Sequence, residues 1–510
     1  MKNILVITLI SSMLILTGGC RKFLNIDPID DLSGNNYWET RQDVERFTWG
    51  LYHQFKSATM SNLYFPAVGD LRLAPVGVGE NANRTYSIHL KNNDIRALLD
   101  PLRSYYATVE SYGLSKNTSW ERFYDIIGMC NILEFEVGRL ESGLLTEEEQ
   151  RQYQAEASFM RNLCYFFIIR QFGDVAYYTD AYHTAPLGRE NMLDVLQYCI
   201  DDMAAHKDDL PWTFDDPNII GVRAMRGAAV TLMMHMNMWI AGFSKGNVKN
   251  TYYARAADLG REIMEESDGA YTLLPIADFR DIFIGKSKES LFEITQDLNY
   301  GEQFGNPPFF PNQVLRPPYK FTGGSTTGKA FVFYMPAYLK KLYPEGNTDM
   351  RQQLWFDPTN MFSGDGQFVF LKFSNFYVTT GQDAVPNDSQ MIFRYADPIL
   401  LRAEALAELG YDEEAQTYLN MVRNRAGLDN TENIGKDLKD DIFWERNREF
   451  MGEAQFYFDL VRTKKAVDPE YVFWGSTINV EDFEAGAWTW PITPTAKYNN
   501  SYMTLNKFWL

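Results

Sequence analysis

The stretch ADPILLRAEALAELGYDEEAQTYLNMVRNRAG, residues 396–427, constrains this chain more than any other. It reads as a helix, a turn at Gly410, a second helix and a stop at Gly427, with apolar residues recurring at helical spacing. Two short amphipathic helices joined this way cannot bury their apolar faces alone. A weaker copy of the arrangement runs through 221–267, as VRAMRGAAVTLMMHMNMWIAG followed by TYYARAADLGREIMEES. Such pairs become stable by stacking on one another, so the expectation is one curved helical scaffold.

The small residues Ala403, Ala405, Ala407 and Ala415 around the glycine turn resemble a tetratricopeptide unit, whose period is 34. The fold class expected is therefore mainly α, a tetratricopeptide-like helical-repeat scaffold. Residues 37–270 read almost entirely as helices. Thr40 with Asp43 opens the first, which carries Val44, Phe47, Leu51 and Phe55 on one face, and Ser119 can cap a second. TEEE at 146–149 forms a capping box ahead of a long helix that stops at FGD, with Gly173 just past its end. A further helix covers about 190–208. From 271 to 395 the character changes to an irregular, loop-rich and partly β region. The runs SLFEIT, QFVFLKF and QMIFRY alternate there with Gly/Pro-rich loops. A long irregular segment inside a globular chain is commonly functional. Residues 396–510 return to helices and end in a proline-bearing tail, and all three regions are expected to form one compact unit.

The first 19 residues are of another kind. Lys2 precedes a thirteen-residue, mostly apolar run, Ile4 to Leu16, too short to span a bilayer and followed by Thr17, Gly18 and Gly19. This is an export signal, and Cys20 directly after it resembles the lipobox of bacterial lipoproteins, although Thr17 stands where leucine is usual. Cys20 is thus the expected lipidation site and residues 20–36 the tether. The other cysteines, Cys130, Cys164 and Cys199, fall in apolar helical patterns and read as buried free thiols. Net charge is −19, and such a surface repels phosphate backbones, so nucleic acid is not expected as a partner. With 30 Tyr, 35 Phe and 11 Trp, rings remain for a surface that binds something flat and partly apolar.

Several motifs tempt toward an enzyme. GGSTTGKA, from Gly323, nearly spells a phosphate loop, but Ala330 replaces the magnesium-binding hydroxyl and no buried strand precedes it. Glycoside hydrolysis needs two carboxylates roughly 5–10 Å apart, and the aromatic-rich loops are poor in acid. No G-x-S-x-G elbow or Asp-rich calcium loop appears, so no cofactor is expected and a structural calcium ion has no supporting motif. Glu445, Arg448, Glu449 and Glu453, beside Asp459 and Arg462, read as Arg–carboxylate bonds between helices. The same reading covers Arg170 with Asp174 and Arg394 with Asp397, while Trp120 and Asn131 read as core.

The chain as a whole resembles the SusD/RagB family, the surface lipoproteins of Bacteroidetes nutrient-uptake systems. The likeness rests on Cys20 with KFLNIDP, NNYWETRQDVERFTWGLY, WERFYDIIGMCN, AEASFMRNLCYFFIIRQFGDV, FRYADPILLRAEALAELG with AQTYLNMVRNRAG, WERNREFMGEAQFYFDLVRTKK and the closing WPIT, in family order. It implies a non-catalytic protein, lipid-anchored and surface-exposed at the outer membrane, that captures oligosaccharide and passes it to a SusC-like TonB-dependent transporter. A peptide receptor of the same uptake type, or a secreted glycoside hydrolase, are the alternatives. It also implies that ligand binds on loops at about 58–117 and 297–380. The candidate contacts there are Asp70, Arg72, Tyr105, Tyr106 and Tyr112 in the first, and Tyr300, Phe304, Tyr319 and Trp355 in the second, with Phe309, Phe310, Phe376 and Tyr377 beside them.

Overall fold

A computed structural model describes residues 37–79, 85–296, 304, 310–316, 319, 328–377 and 385–510. Residues 1–36, expected to hold an export signal and the Cys20 tether, and Tyr300, Phe309 and most of GGSTTGKA lie outside the described residues. Helix α1, Arg41–Met60, opens on a capping box in which the Thr40 side chain accepts from the Asp43 N–H and Asp43 reaches back to the Thr40 N–H. Helix α2 is Glu121–Val137. Its entry differs from expectation: Trp120 takes the cap position, and Ser119 only receives the Glu121 N–H at 3.3 Å. Burial of Trp120, edge-on to Phe172 at 5.5 Å, sets that entry angle. Helix α3, Glu147–Phe172, starts on the Thr146–Glu149 box and ends at Gly173.

Five more helices continue the scaffold: α4, Met192–His206; α5, Arg226–Phe243; α6, Asn247–Glu265; α7, Ala396–Leu409; and α8, Asp412–Arg425. Each packs on the next in turn, from α2 on α3 through α7 on α8. The α5/α6 pair therefore stacks directly on the α7/α8 pair although residues 266–395 intervene, which is the stacking the sequence repeat requires. Gly410 turns between α7 and α8 at φ 84°, a left-handed conformation that a Cβ would disfavour. Helix α5 is buried over nearly its whole length, Gly227 to Ala241, and forms the centre of the core. Cys130, Cys164 and Cys199 are buried free thiols.

Helices α9, Gly435–Glu449, and α10, Phe456–Arg462, close the scaffold. Between them and the region 271–395 lies a buried lattice of charges. Arg351 donates to Asp349, to Glu445 at 2.6 Å and to Glu449 at 2.8 Å. Arg394 donates to Glu449 at 2.6 Å and to Glu453 at 2.7 Å, and Arg425 pairs with Glu289 and Glu449. Lys372 spans Glu449 O, Met451 O and the Glu453 carboxylate. The sequence reading of Glu445, Glu449, Glu453, Asp459 and Arg462 as structural holds. Two of its pairings do not. Arg394 bonds these glutamates, while Asp397 takes His235 and Arg446. Arg170 does not pair with Asp174; its guanidinium lies 4.3 Å from the Phe166 ring centroid and 4.1 Å from that of Phe458.

Strands are short. β1, Val76–Val78, β2, Ser290–Ile294, β3, Val332–Tyr334, β4, Phe376–Tyr377, β5, Val385–Pro386, and β6, Gln390–Arg394, form three two-stranded antiparallel ribbons, β1–β3, β2–β6 and β4–β5. SLFEIT and QMIFRY are thus partners, joined through two bulges. QFVFLKF is not a strand: it makes one bridge at Phe370 and then a 3-10 turn, Leu371–Phe373. Phe368, Phe370, Lys372 and Phe373 are all buried, so the run has no solvent face to set a β alternation.

Candidate ligand-binding site

The two loop regions singled out in the sequence come together. Strand β1 pairs with β3 in the register Val76 to Tyr334 and Val78 to Val332, and Met335 N–H donates to Pro75 O at 2.7 Å. The Tyr86 hydroxyl donates to Gln313 Oε1 at 2.9 Å, and Lys56 Nζ donates to Thr295 O at 2.8 Å. The first three contacts join residues 75–86 to residues 313 and 332–335, and the last ties α1 to the end of β2.

The first loop is held from below. Its π-helical turn Pro66–Asp70 rests on the segment after α9, where a Cβ on Gly69 would fall 2.4 Å from Ala454 O. Asp70 Oδ1 accepts the Ala454 N–H at 2.9 Å, and burial pushes its carboxyl up to about 8. Arg72 donates to Asn93 Oδ1 and to the carbonyls of Ala487 and Thr489, with its guanidinium 4.6 Å from the Tyr457 ring. Both side chains are interior: Asp70 is 3% and Arg72 0% exposed. They are anchors, and burial corrects their assignment as ligand contacts.

Trp355 and Phe304 are corrected on the same ground. Trp355 is 1% exposed under Lys372, whose Nζ lies 4.5 Å from its ring, and Phe304 is buried with Lys56 Nζ 5.8 Å from its ring. The tyrosines differ. Tyr105, Tyr106, Tyr112 and Tyr319 are all half-buried. Tyr112 meets Tyr86 edge-on at 5.2 Å, directly beside the junction, and Tyr319 meets Phe376 edge-on at 6.2 Å. Tyr105 and Tyr106 stand further out, at the start of the short helix Tyr106–Ser111. Tyr105 packs on His89 and donates to Ala97 O; Tyr106 lies beside Glu110.

The residues that join the two loops were missed in the sequence. Tyr86 and Gln313 each sit in a stretch without strong periodicity, and only their pairing gives them meaning. Arg316 was missed too: it is half-buried three residues before Tyr319, which donates its N–H to Arg316 O, and its Nε has no partner among the described residues. What results is a set of half-buried tyrosines on the two loops, with the Arg316 guanidinium, whose charge also acts on Asp357, close to Tyr319 in the chain; together they suit a ligand with both apolar faces and hydrogen-bonding groups.

Besides Asp70, burial raises the carboxyls of Glu289, Glu293 and Asp388 in the interior and that of the exposed Asp125. Burial raises Glu293 to about 7, as it raises Asp70, but Glu293 is 2% exposed and receives the Lys286 N–H. Asp70 lines a void of only about 10 Å³, too small for a substrate.

Comparison with known proteins agrees with this architecture. The SusD family matches residues 312–509, and a family described as starch-binding, associating with the outer membrane, matches 73–236. A SusD-like protein of Formosa agariphila is 23% identical over 91% of both chains, and one of Bacteroides ovatus is 25% identical over 70% of this chain and 67% of its own. The crystal structure of a SusD homologue from Bacteroides thetaiotaomicron superposes with a TM-score of 0.83 at 36% identity, covering 92% of this chain and 99% of that one. Surface glycan-binding protein A of Bacteroides uniformis superposes with a TM-score of 0.67 at 19% identity, over 92% of this chain and 100% of that one. With a helical-repeat scaffold that carries two joined loop regions, and a match of this depth across nearly its whole length, the chain belongs to the SusD family.

Proposed function

We propose that this protein is a non-catalytic receptor that captures oligosaccharide on the ridge between residues 62–117 and 310–335 and delivers it to a TonB-dependent outer-membrane transporter of the SusC type. The observation that carries the reading is the junction itself. Loops far apart in sequence are locked by β1–β3 and Tyr86–Gln313 and carry half-buried tyrosines, Tyr319 bonding through its N–H to Arg316 O. Tyr112, Tyr319, Tyr105 and Tyr106 are the stacking surfaces in this reading, with Arg316 as the hydrogen-bond donor. Tyr300 belongs to the same loop by position. One solved structure whose fold this chain shares, a surface glycan-binding protein, supports the ligand class. Against a hydrolase, Asp70, Glu293 and Asp388, whose carboxyls burial raises far, are all interior.

Cys20 anchors the chain at the cell surface in this reading, through acyl chains attached after removal of residues 1–19. The test is calorimetry of the purified protein against a panel of neutral oligosaccharides and of peptides, with reducing ends assayed in parallel. Micromolar glycan binding without new reducing ends is expected. Binding to peptides alone identifies a peptide receptor, and turnover overturns the receptor reading. Metabolic labelling with an alkyne fatty acid, lost in Cys20→Ala, tests the anchor, and co-purification with a barrel transporter tests the partner.

A further inference from the structure

A second cavity, of about 620 Å³, lies where the C-terminus of α3 and the start of α4 meet the tail of the chain. Its volume is in the range of small-molecule sites. Its lining shares no residue with the loop ridge. Phe172, Phe243, Phe483 and Trp488 form its walls, with Phe243 nearly parallel to Phe483 at 6.2 Å and 5.3 Å from Trp488. Val480, 60% exposed, stands at the mouth.

The rim has the opposite sign to the rest of the molecule. The chain carries −19, yet Arg189, Lys464 and Lys507 all line this cavity, against Asp174 and Glu484. Asp174 is already engaged, accepting the Met192 N–H at 3.0 Å at the head of α4. The Arg189 guanidinium is spent on carbonyls, those of Asp174, Phe172 and Thr504, so no carboxylate hydrogen-bonds to its charge. Lys464 and Lys507 form no ion pair among the described residues, and both are exposed. Lys464 is also held at φ 59°, a left-handed conformation that suits glycine or asparagine better than a lysine. That backbone sets its Nζ 6.0 Å from the Phe243 ring, over the apolar wall. Two unpaired ammonium groups beside an aromatic-walled cavity match one chemistry: an apolar body carrying a single anionic head.

We propose that this cavity binds a free amphipathic carboxylate, with a medium-length acyl chain or a body of similar bulk lying against Phe243, Phe483 and Trp488 and the carboxylate held between Lys464 and Lys507. The site is independent of the oligosaccharide reading. An anionic phospholipid presents an acyl chain and a negative head too, and the experiment separates the two sources. Purified full-length protein is titrated with monomeric dodecanoate by calorimetry, with dodecanol as the uncharged probe and phosphatidylglycerol vesicles as the membrane probe. Dodecanoate is expected to bind one to one, about ten-fold more tightly than dodecanol, as one charge contact of about 1.4 kcal/mol gives. Lys464→Glu with Lys507→Glu, both on the surface, is expected to lose that ten-fold while leaving dodecanol binding and the unfolding midpoint unchanged. Val480→Trp, which fills the mouth, is expected to weaken both probes. Equal affinity for dodecanoate and dodecanol, insensitivity to the charge reversal, no binding, or retention on vesicles without binding of free dodecanoate overturns the proposal.

Discussion

The helical scaffold and the loop ridge solve opposite problems with opposite chemistry. Around Glu449, at the end of α9, the interior is filled with ions: Arg351, Arg394 and Arg425 all reach one carboxylate, and each has a second acidic partner. Tyr112 and Tyr319, by contrast, are neutral half-buried rings that meet Tyr86 and Phe376 edge-on. Charged hydrogen bonds are directional and expensive to leave unmade, so the first arrangement fixes how the irregular region 271–395 docks. Aromatic contacts are broad and tolerant, so the second can fit a ligand without reordering the fold. The lesson is a division of labour. Position is set by buried charge, and recognition is left to rings.

The hardest blow to this contrast is Glu449→Ala. It leaves three buried guanidiniums short of a partner, and one-sided removal from a buried ion pair costs about 3–5 kcal/mol. Urea unfolding followed by tryptophan fluorescence should show a loss of that size; a loss below about 1 kcal/mol means the charges do not hold the region. Acid tests the same lattice without mutation. Burial alone pushes the Glu445 carboxyl up, but Arg351 and Arg448 outweigh it and hold it at about 2, and Arg446 with Arg462 likewise depresses Asp459. A carboxyl depressed on folding stabilises the native state above its unfolded value, about 4.3 for Glu. That contribution is lost as pH falls through the folded value, so the unfolding midpoint should drop between about pH 4.5 and 2. Salt should shift this little, because the pairs are buried.

Asp70 sharpens the comparison from the loop side, with the sign reversed. Its carboxyl is raised by burial to about 8, so the folded chain binds its proton more tightly than the unfolded one. Its stabilising contribution is complete below the unfolded value of about 3.9 and fades as pH rises through about 8. Asp70→Asn keeps an oxygen for the Ala454 N–H and removes the charge. The gain over the parent should grow as pH rises from about 4 to 8 and reach several kcal/mol at pH 9, with little change at about pH 3. A variant that is no more stable at pH 9 than the parent shows that Asp70 is ionised at no cost.

This division also explains what was legible in the sequence. The scaffold was, because its signals are local: the Thr40–Asp43 and Thr146–Glu149 boxes, the Gly410 turn and the helical period of 396–427 each depend on neighbours within a few residues. The charged residues of 445–462 could be read as structural from their spacing, but not their partners, since Arg351, Lys372 and Arg394 come from a remote region. Arg394 beside Asp397 looked like a pair and is not one. In the ridge, residue type misled. Asp70, Arg72 and Trp355 have the chemistry of ligand contacts, yet Arg72 is buried and donates to carbonyls more than 400 positions away. A loop's buried anchors and its exposed contacts draw on the same residue types, and only the fold tells them apart.

The smallest expected effects fall on the ridge, and they decide whether its rings are the recognition surface. Tyr112→Ala and Tyr319→Ala each remove one half-buried ring that is bound to the protein by edge contact. Each should weaken oligosaccharide binding by about 1 kcal/mol, roughly five-fold in Kd, and leave the unfolding midpoint nearly unchanged. Their effects should add, since the two rings contact different neighbours, Tyr86 and Phe376. Trp355→Ala is the control from the interior: it should cost about 3–5 kcal/mol of stability as a core truncation, with affinity of the folded fraction kept. If instead the tyrosine variants bind as the parent does and Trp355→Ala abolishes binding in protein that remains folded, then the ligand reaches a surface that opens beneath Lys372, and recognition belongs to the charged interior and not to the ridge.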